Sequence, residues 1–350
     1  MAEGGEIICE RRGEAGLIVL NRPQALNAIT LEMVRSMRGA LDSWASDPQV
    51  TRIVLTGAGE RAFCAGGDIR QLYELGRGGR HEEALTFWRE EYALNALIKT
   101  YPKPYLSLID GIVMGGGVGV SLHGRHRVAG ERYLFAMPEV SIGFFPDVGA
   151  SYALARLPDE TGTYLALTGE RLRTADALAL GLATHAVPSE ALPALREALV
   201  AGEAVDPLLE RNAFDPGPPP LAPHREVIAT CFAHRSVPAI LEALEEAGEA
   251  GSEFAAKTAA ALRAKSPTSL AIALEQVRRG RDMTFEEAMA MEFRIVARII
   301  EGHDFYEGVR ATLIDKDGRP EWRPSTLDAV TPEAVEGYFA DLGAREWKRA

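Results

Sequence analysis

Met114-Gly115-Gly116-Gly117-Val118-Gly119 follows an apolar run at 105–109, and earlier in the chain Phe63-Cys64-Ala65-Gly66-Gly67-Asp68 follows a second run at 52–55. Glycine lets a backbone approach a ligand closely and present its N–H groups. Two such strand-to-glycine turns can aim two backbone donors at one oxygen, which is what a reaction that develops an oxyanion needs. The apolar spacing continues as a short helix over 118–123, which sets Gly115, Gly116 and Gly117 at a helix N-terminus. Further β-branched runs at 17–20, 127–129, 133–135 and 183–187 read as strands. Thr30, ahead of Leu31-Glu32-Met33-Val34, reads as the N-cap of a helix reaching about residue 45. Strand and helix alternate to about residue 190, which predicts an α/β layered domain.

Asp215-Pro216-Gly217-Pro218-Pro219-Pro220 fits neither a helix nor a central strand. Beyond it the apolar spacing is helical, near 236–247, 251–264, 267–279, 284–300 and 303–314, with a last helix from about 331. The expected organisation is an α/β core over 1–210, a proline-rich linker at 211–222 and a helical C-terminal region over 223–350. A chain of 350 residues with 47% hydrophobic content is long enough for a real core.

The formal net charge of −12 without a lysine-rich stretch argues against nucleic acid as a partner. Cys9, Cys64 and Cys231 are scattered and odd in number, which points away from a disulfide framework and toward a reducing compartment. The segment Met1 to Glu6 has neither the character of a signal peptide nor that of a transit peptide. The most apolar window, 105–122, is interrupted by Asp110 and by glycines and does not read as a membrane span. The expectation is a soluble cytoplasmic protein without membrane partners.

Gly57-Ala58-Gly59-Glu60-Arg61-Ala62 spells GxGxxA after a strand, but no convincing helix opens at Glu60, so a plain turn is the better reading than a dinucleotide site. His123 and His126 lack a third ligand nearby and read as packing or surface histidines. No serine or cysteine sits in a nucleophile signature. Glu139 and Asp147 differ from these, because they lie among Met137, Val140, Ile142, Phe135, Phe144 and Phe145. Carboxylates in apolar surroundings are desolvated, and a raised pKa suits them to proton transfer or nucleophilic attack at neutral pH.

Several separated stretches, in order, resemble the crotonase (enoyl-CoA hydratase/isomerase) superfamily. They are Leu20-Asn21-Arg22-Pro23 with Leu26-Asn27-Ala28, Ala62-Phe63-Cys64-Ala65-Gly66-Gly67-Asp68-Ile69, Lys103-Pro104 and Gly115-Gly116-Gly117. Within that superfamily, Arg89-Glu90-Glu91-Tyr92, Ala136-Met137-Pro138-Glu139, Gly143-Phe144-Phe145-Pro146-Asp147-Val148-Gly149 and Glu307-Gly308-Val309-Arg310-Ala311 are similar to the 3-hydroxyisobutyryl-CoA hydrolases. The resemblance implies a ββα spiral core with a helical C-terminal region, and an acyl-CoA substrate. It implies that the Gly67 and Gly116 amides form an oxyanion hole and that Arg22, Ala25, Ala62, Ala65, Asp68 and Ile69 line a CoA groove. Arg310 and Lys316 are its candidates for the nucleotide end. Hydratases of the superfamily use two glutamates. The second matches Glu139, but the position of the first is occupied by Gly119, and Asp147 is present instead.

The implied reaction is hydrolysis of a short 3-hydroxyacyl-CoA, foremost 3-hydroxyisobutyryl-CoA in valine catabolism. Glu139 would act as nucleophile or general base, and Asp147 and Glu91 would position the substrate hydroxyl or a water. No cofactor is implied beyond the CoA of the substrate, and a homo-oligomer is compatible with the resemblance. The alternatives are an enoyl-CoA isomerase or hydratase-like activity and a non-catalytic scaffold subunit.

Overall fold

Apolar runs separated by tight turns fold into two sheets. The computed structural model describes residues 5–349. Its strands, in chain order, are β1 (Ile7–Arg12), β2 (Ala15–Leu20), β3 (Arg52–Gly57), β4 (Ala62–Cys64), β5 (Tyr105–Ile109), β6 (Ile112–Met114), β7 (His126–Ala129), β8 (Leu134–Ala136), β9 (Leu172–Arg173) and β10 (His185–Ala186). One sheet has the order β1-β2-β3-β5-β7-β10 and the other β4-β6-β8-β9. In the first, β2, β3, β5, β7 and β10 are parallel and β1 is antiparallel to β2. In the second, β4, β6 and β8 are parallel and β9 is antiparallel.

Three times a strand of the first sheet passes through a short turn into a strand of the second: β3 to β4, β5 to β6 and β7 to β8. The GxGxxA stretch is the first of these turns. Helices Ile69–Arg77 and Gly116–Ser121 follow β4 and β6 in the chain, which gives the ββα repeat. The strands missed in the sequence explain themselves. β4 and β6 are three residues long and border the glycine runs, β9 has two residues, and β1 is a half-buried edge with charged residues.

Both sheets belong to one compact unit, residues 1–68, 90–136 and 171–220. β5 is buried at every position, as expected of a parallel strand covered on both faces. Leu192, Leu195, Leu199, Leu208 and Leu209, from helices Leu192–Val200 and Val205–Asn212, pack on Leu17, Val54, Leu106 and Val128 of the first sheet. Burying each such side chain stabilises the fold by about 1.5–3 kcal/mol. Helix Leu31–Ser46 lies against β1 and β2, and the Thr30 hydroxyl caps it by accepting the Met33 N–H at 3.3 Å.

A second unit comprises residues 69–89, 137–170 and 221–350. Its boundary after Pro220 falls inside the expected linker. Residues 69–89 and 137–170, expected in the α/β core, instead group with the C-terminal helices. Local periodicity identifies elements but carries no information on pairing between distant segments. Some helices of this unit start where a Ser or Thr side chain satisfies a first-turn N–H group. Ser236, Ser252, Ser266, Thr284 and Thr331 all do so, Thr284 in a capping box with Glu287. No helix among the described residues is long and apolar enough to cross a membrane.

Helix Asp304–Val309 lies against the 3-10 turn Glu139–Ile142. A β-carbon on Gly308 would stand 2.3 Å from the carbonyl carbon of Ile142. Gly308→Ala therefore lowers the midpoint of thermal unfolding, since overpacking costs about 1–3 kcal/mol. Gly39→Ala, on helix Leu31–Ser46 with no atom within 4 Å of the added carbon, leaves the midpoint unchanged or raises it. Scanning calorimetry of the two variants should separate them, and equal midpoints would contradict the close packing.

Candidate active site

In the first unit the two glycine turns meet. Ile29 pairs with Gly67 as a parallel bridge: its N–H donates to Gly66 O and its carbonyl accepts from Asp68 N, each at 2.9 Å. Those bonds straddle Gly67, so the Gly67 N–H faces away from Ile29. Gly115 adopts φ 47°, ψ −123°, a conformation that demands glycine, and helix Gly116–Ser121 begins directly after it. The Gly116 amide thus belongs to the first turn, which has no intrahelical acceptor. A β-carbon on Gly116 would stand 3.2 Å from the Gly67 nitrogen and 2.7 Å from Oε1 of Glu91. The structure therefore brings Gly67, Gly116 and Glu91 together. Cys64, beside them, is no nucleophile, because burial pushes its thiol up to about 12.

The expected groove residues fall on two facing segments of this unit, with one exception. Arg22 and Ala25 border the 3-10 turn Pro23–Ala25; Ala62, Ala65 and Asp68 lie on and after β4. Arg22 donates to Ala28 O at 2.7 Å and pairs with Asp68 at 3.1 Å. Ala65 N donates to Leu26 O at 3.0 Å. The exception is Ile69, which opens helix Ile69–Arg77 of the second unit. Asn27 holds the two segments together. It is fully buried, its Nδ2 is directed at the carbonyls of Ala58, Ala62 and Phe63, and its Oδ1 accepts from Arg22 N.

Glu139 and Asp147 lie in the second unit, both buried. Glu139 opens its 3-10 turn after Pro138, and its backbone carbonyl accepts from Phe144 N at 3.1 Å. Its carboxyl is 8% exposed by residue, and Oε2 is buried with no hydrogen-bond partner among the described residues. Burial raises its pKa well above the ordinary carboxylate range, and the nearby charge of Asp147 raises it further. An aromatic cluster floors this region: Phe144 stacks on Trp88 at 5.7 Å between centroids and meets Phe145 at 4.7 Å and Phe305 at 5.5 Å.

Asn27 was quoted in the sequence motifs without a role, and two more buried polar residues had none expected. Gln276, on helix Pro267–Gly280, donates Nε2 to Pro146 O. Glu292, on helix Phe285–Ile299, accepts from Gly149 N at 2.8 Å and Ser151 N at 2.9 Å. A signal existed for Glu292: it occupies the apolar stripe with Ala288, Ile295 and Ile299, where a glutamate is out of place. Arg310 ties Glu307, Asp315 and Asp317 together at 2.7–2.8 Å and also donates to Arg319 O. It thus pins the segment after helix Asp304–Val309, and Lys316 is exposed beside it. Among the described residues no three His, Cys, Asp or Glu side chains gather so that they could hold a metal ion.

Paired strands shared between two sheets, a helix entered through glycine, and two neighbouring backbone amides define the crotonase class of fold. The chain belongs to the enoyl-CoA hydratase/isomerase family, whose model matches residues 15–339. It is 46% identical over 355 residues to the mitochondrial 3-hydroxyisobutyryl-CoA hydrolase of Danio rerio, covering 99% of this chain and 92% of that protein. Among solved structures it is similar to a carnitinyl-CoA dehydratase from Mycobacterium thermoresistibile, with TM-score 0.94, 41% identity and 99% of both chains covered. It is likewise similar to an enoyl-CoA hydratase from Rhodobacter sphaeroides 2.4.1, with TM-score 0.93 and 40% identity, over 98% of this chain and 100% of that one.

The electrostatics of the carboxylate pair make a direct prediction. Asp147→Asn removes a like charge, so the Glu139 carboxyl should titrate at lower pH in the variant than in the parent, while staying above the ordinary glutamate range because burial persists. Carbon-13 NMR of side-chain-labelled glutamate, with Glu139→Gln to assign the resonance, measures both values. An unchanged or raised value in Asp147→Asn would show that the two groups do not share a field.

Proposed function

We propose that this protein hydrolyses a short 3-hydroxyacyl-CoA thioester, with 3-hydroxyisobutyryl-CoA preferred, to the free hydroxy acid and CoA. The observation that carries the proposal is the pairing of buried Glu139 with Asp147 in a chain that has Gly119 where a two-glutamate hydratase has its other acid. Its extended likeness to a protein named 3-hydroxyisobutyryl-CoA hydrolase supports the same choice over the hydratase and dehydratase names of the solved neighbours. Such a substrate arises in the breakdown of a branched amino acid such as valine.

The thioester carbonyl accepts from the Gly67 and Gly116 N–H groups, which stabilise the negative charge that develops on its oxygen. The Glu139 carboxylate attacks the carbonyl carbon. The tetrahedral intermediate expels CoA as thiolate and leaves an anhydride, which water opens to the acid and the free carboxylate. In the other route Glu139 takes a proton from a water that attacks the carbonyl directly, the tetrahedral intermediate expels CoA as thiolate, and the proton passes from Glu139 to that thiolate. The raised pKa of Glu139 makes its carboxylate a stronger base and nucleophile in either route. Asp147 and Glu91 orient the substrate hydroxyl or the water. Arg22 and Asp68, with Ala25, Ala62, Ala65 and Ile69, contact the CoA moiety, which is part of the substrate. No other cofactor takes part in these steps.

Release of free thiol from a panel of acyl-CoAs tests the proposal. 3-Hydroxyisobutyryl-CoA should be cleaved faster than isobutyryl-CoA, and an enoyl-CoA should show no migration of its double bond. Glu139→Gln should lose about 10²–10⁴ in rate, and Gly116→Ala about 10²–10³ through the blocked oxyanion site. Near-normal hydrolysis by Glu139→Gln would sink the mechanism, and double-bond migration without thiol release would favour an isomerase. Hydroxylamine quenching during turnover should label Glu139 if the anhydride forms and leave it unlabelled if water attacks directly.

A further inference from the structure

We propose that Glu292 is a positioning residue for Asp147: together with Gln276 it clamps the loop on both sides of Asp147 and fixes where that carboxylate meets the substrate. This rests on the proposed contact of Asp147 with the substrate hydroxyl or the attacking water.

The clamp is built from two helices of the second unit, and both side chains are 0% exposed. Gln276 holds the residue before Asp147 by donating to the Pro146 carbonyl. Glu292 holds the segment after it, with Oε2 accepting from Gly149 N at 2.8 Å and Oε1 from Ser151 N at 2.9 Å. Between the two grips lies Val148, at φ 55°. A β-branched residue in the left-handed region is a genuine outlier. Such strain costs about 1–3 kcal/mol and persists only where the surroundings over-determine the backbone. Here Gln276 and Glu292 are among those surroundings, with the Ala150 N–H donating to Asp147 O at 2.9 Å across Val148.

The chemistry requires a carboxylate and not merely a polar group. Two diverging N–H donors need two acceptor oxygens, which the two oxygens of a glutamate carboxyl supply. A glutamine in its place offers one oxygen and turns an NH₂ toward the second donor. The carboxylate is also costly to keep. Burial pushes Glu292 up to about 8, the charge of Asp147 adds to that rise, and the N–H bond from Gly149 opposes it. Losing the carboxyl would also leave two buried N–H groups without acceptors, which costs stability, so the kinetic readout has to separate positioning from stability.

Steady-state kinetics on Glu292→Gln, Asp147→Asn and the double variant decide the matter, using 3-hydroxyisobutyryl-CoA and isobutyryl-CoA as substrates. Glu292→Gln should lower kcat on the hydroxylated substrate by about 10–100-fold, the size expected of a displacement near 1 Å. KM should change much less, and the preference for the hydroxylated substrate should fall. The double variant should be no slower than Asp147→Asn alone, because the clamp acts through Asp147. Gln276→Leu loosens the other side and should reproduce the loss of preference. It carries the same test if Glu292→Gln does not fold. A folded Glu292→Gln that slows both substrates equally, and whose effect multiplies with that of Asp147→Asn, would overturn the proposal. If Asp147→Asn itself keeps full rate and preference, the proposed part of Asp147 fails and the clamp fails with it. If Asp147→Asn loses both while the folded clamp variants keep them, the clamp alone is wrong.

Discussion

A glutamate that is 8% exposed, with one buried carboxyl oxygen unpartnered among the described residues and a second carboxylate's charge nearby, is energetically unfavourable where it ionises. The second unit is arranged around that constraint. The turn bearing Glu139 is too short to bury anything alone, so it is held from outside. The flat backbone of Gly308 packs on Ile142, and an aromatic floor of Trp88, Phe144 and Phe305 supports the loop that follows. The environment that makes the glutamate costly is also the source of its basicity. Relieving the first with a more polar neighbour would weaken the second, the usual opposition of stability and activity at a reactive site.

The first unit solves a different problem, the close approach of two main chains. At Gly116 an added side chain would crowd the Glu91 carboxylate and the Gly67 nitrogen. Gly117 is tighter, since a β-carbon there would meet the backbone oxygen of Cys64 at 2.3 Å. Asn27 supplies what the glycines cannot: one buried amide satisfies carbonyls of the turn on the far segment while receiving an N–H from its own. Donor position in this unit is thus set by backbone and a single amide, with little dependence on flexible side chains.

The parts of the fold legible in the sequence are those with local signals. Most helices after the proline-rich stretch have apolar spacing, with expected bounds within a few residues of those observed, whereas helix Arg225–Cys231 was not expected. The long strands carry β-branched runs, and the glycine turns mark Gly67 and Gly116. Glu139 and Asp147 are conspicuous as acids among aromatic residues. The rest depends on distant contacts. Nothing local in Met137-Pro138-Glu139 says that its turn packs with a helix at Asp304–Val309. Gln276 looks like an ordinary polar residue of an amphipathic helix. Arg310, a candidate for the nucleotide end by resemblance, pairs with Glu307, Asp315 and Asp317, contacts that sequence distance makes visible only in part.

The contact between Ile142 and Gly308 also sets an order of events during synthesis. Gly308 follows Ile142 by 166 positions, so at about 5–20 residues per second roughly ten to thirty seconds separate their emergence from the ribosome. The β-sheets draw only on residues up to Ala186 and can pair meanwhile. Phe144 can meet Trp88 from the preceding chain, but its contact with Phe305 waits until helix Asp304–Val309 is made. For that interval the nascent chain carries an adhesive apolar segment bounded by otherwise foldable material. The turn that bears Glu139 therefore gains part of its packing only late in synthesis.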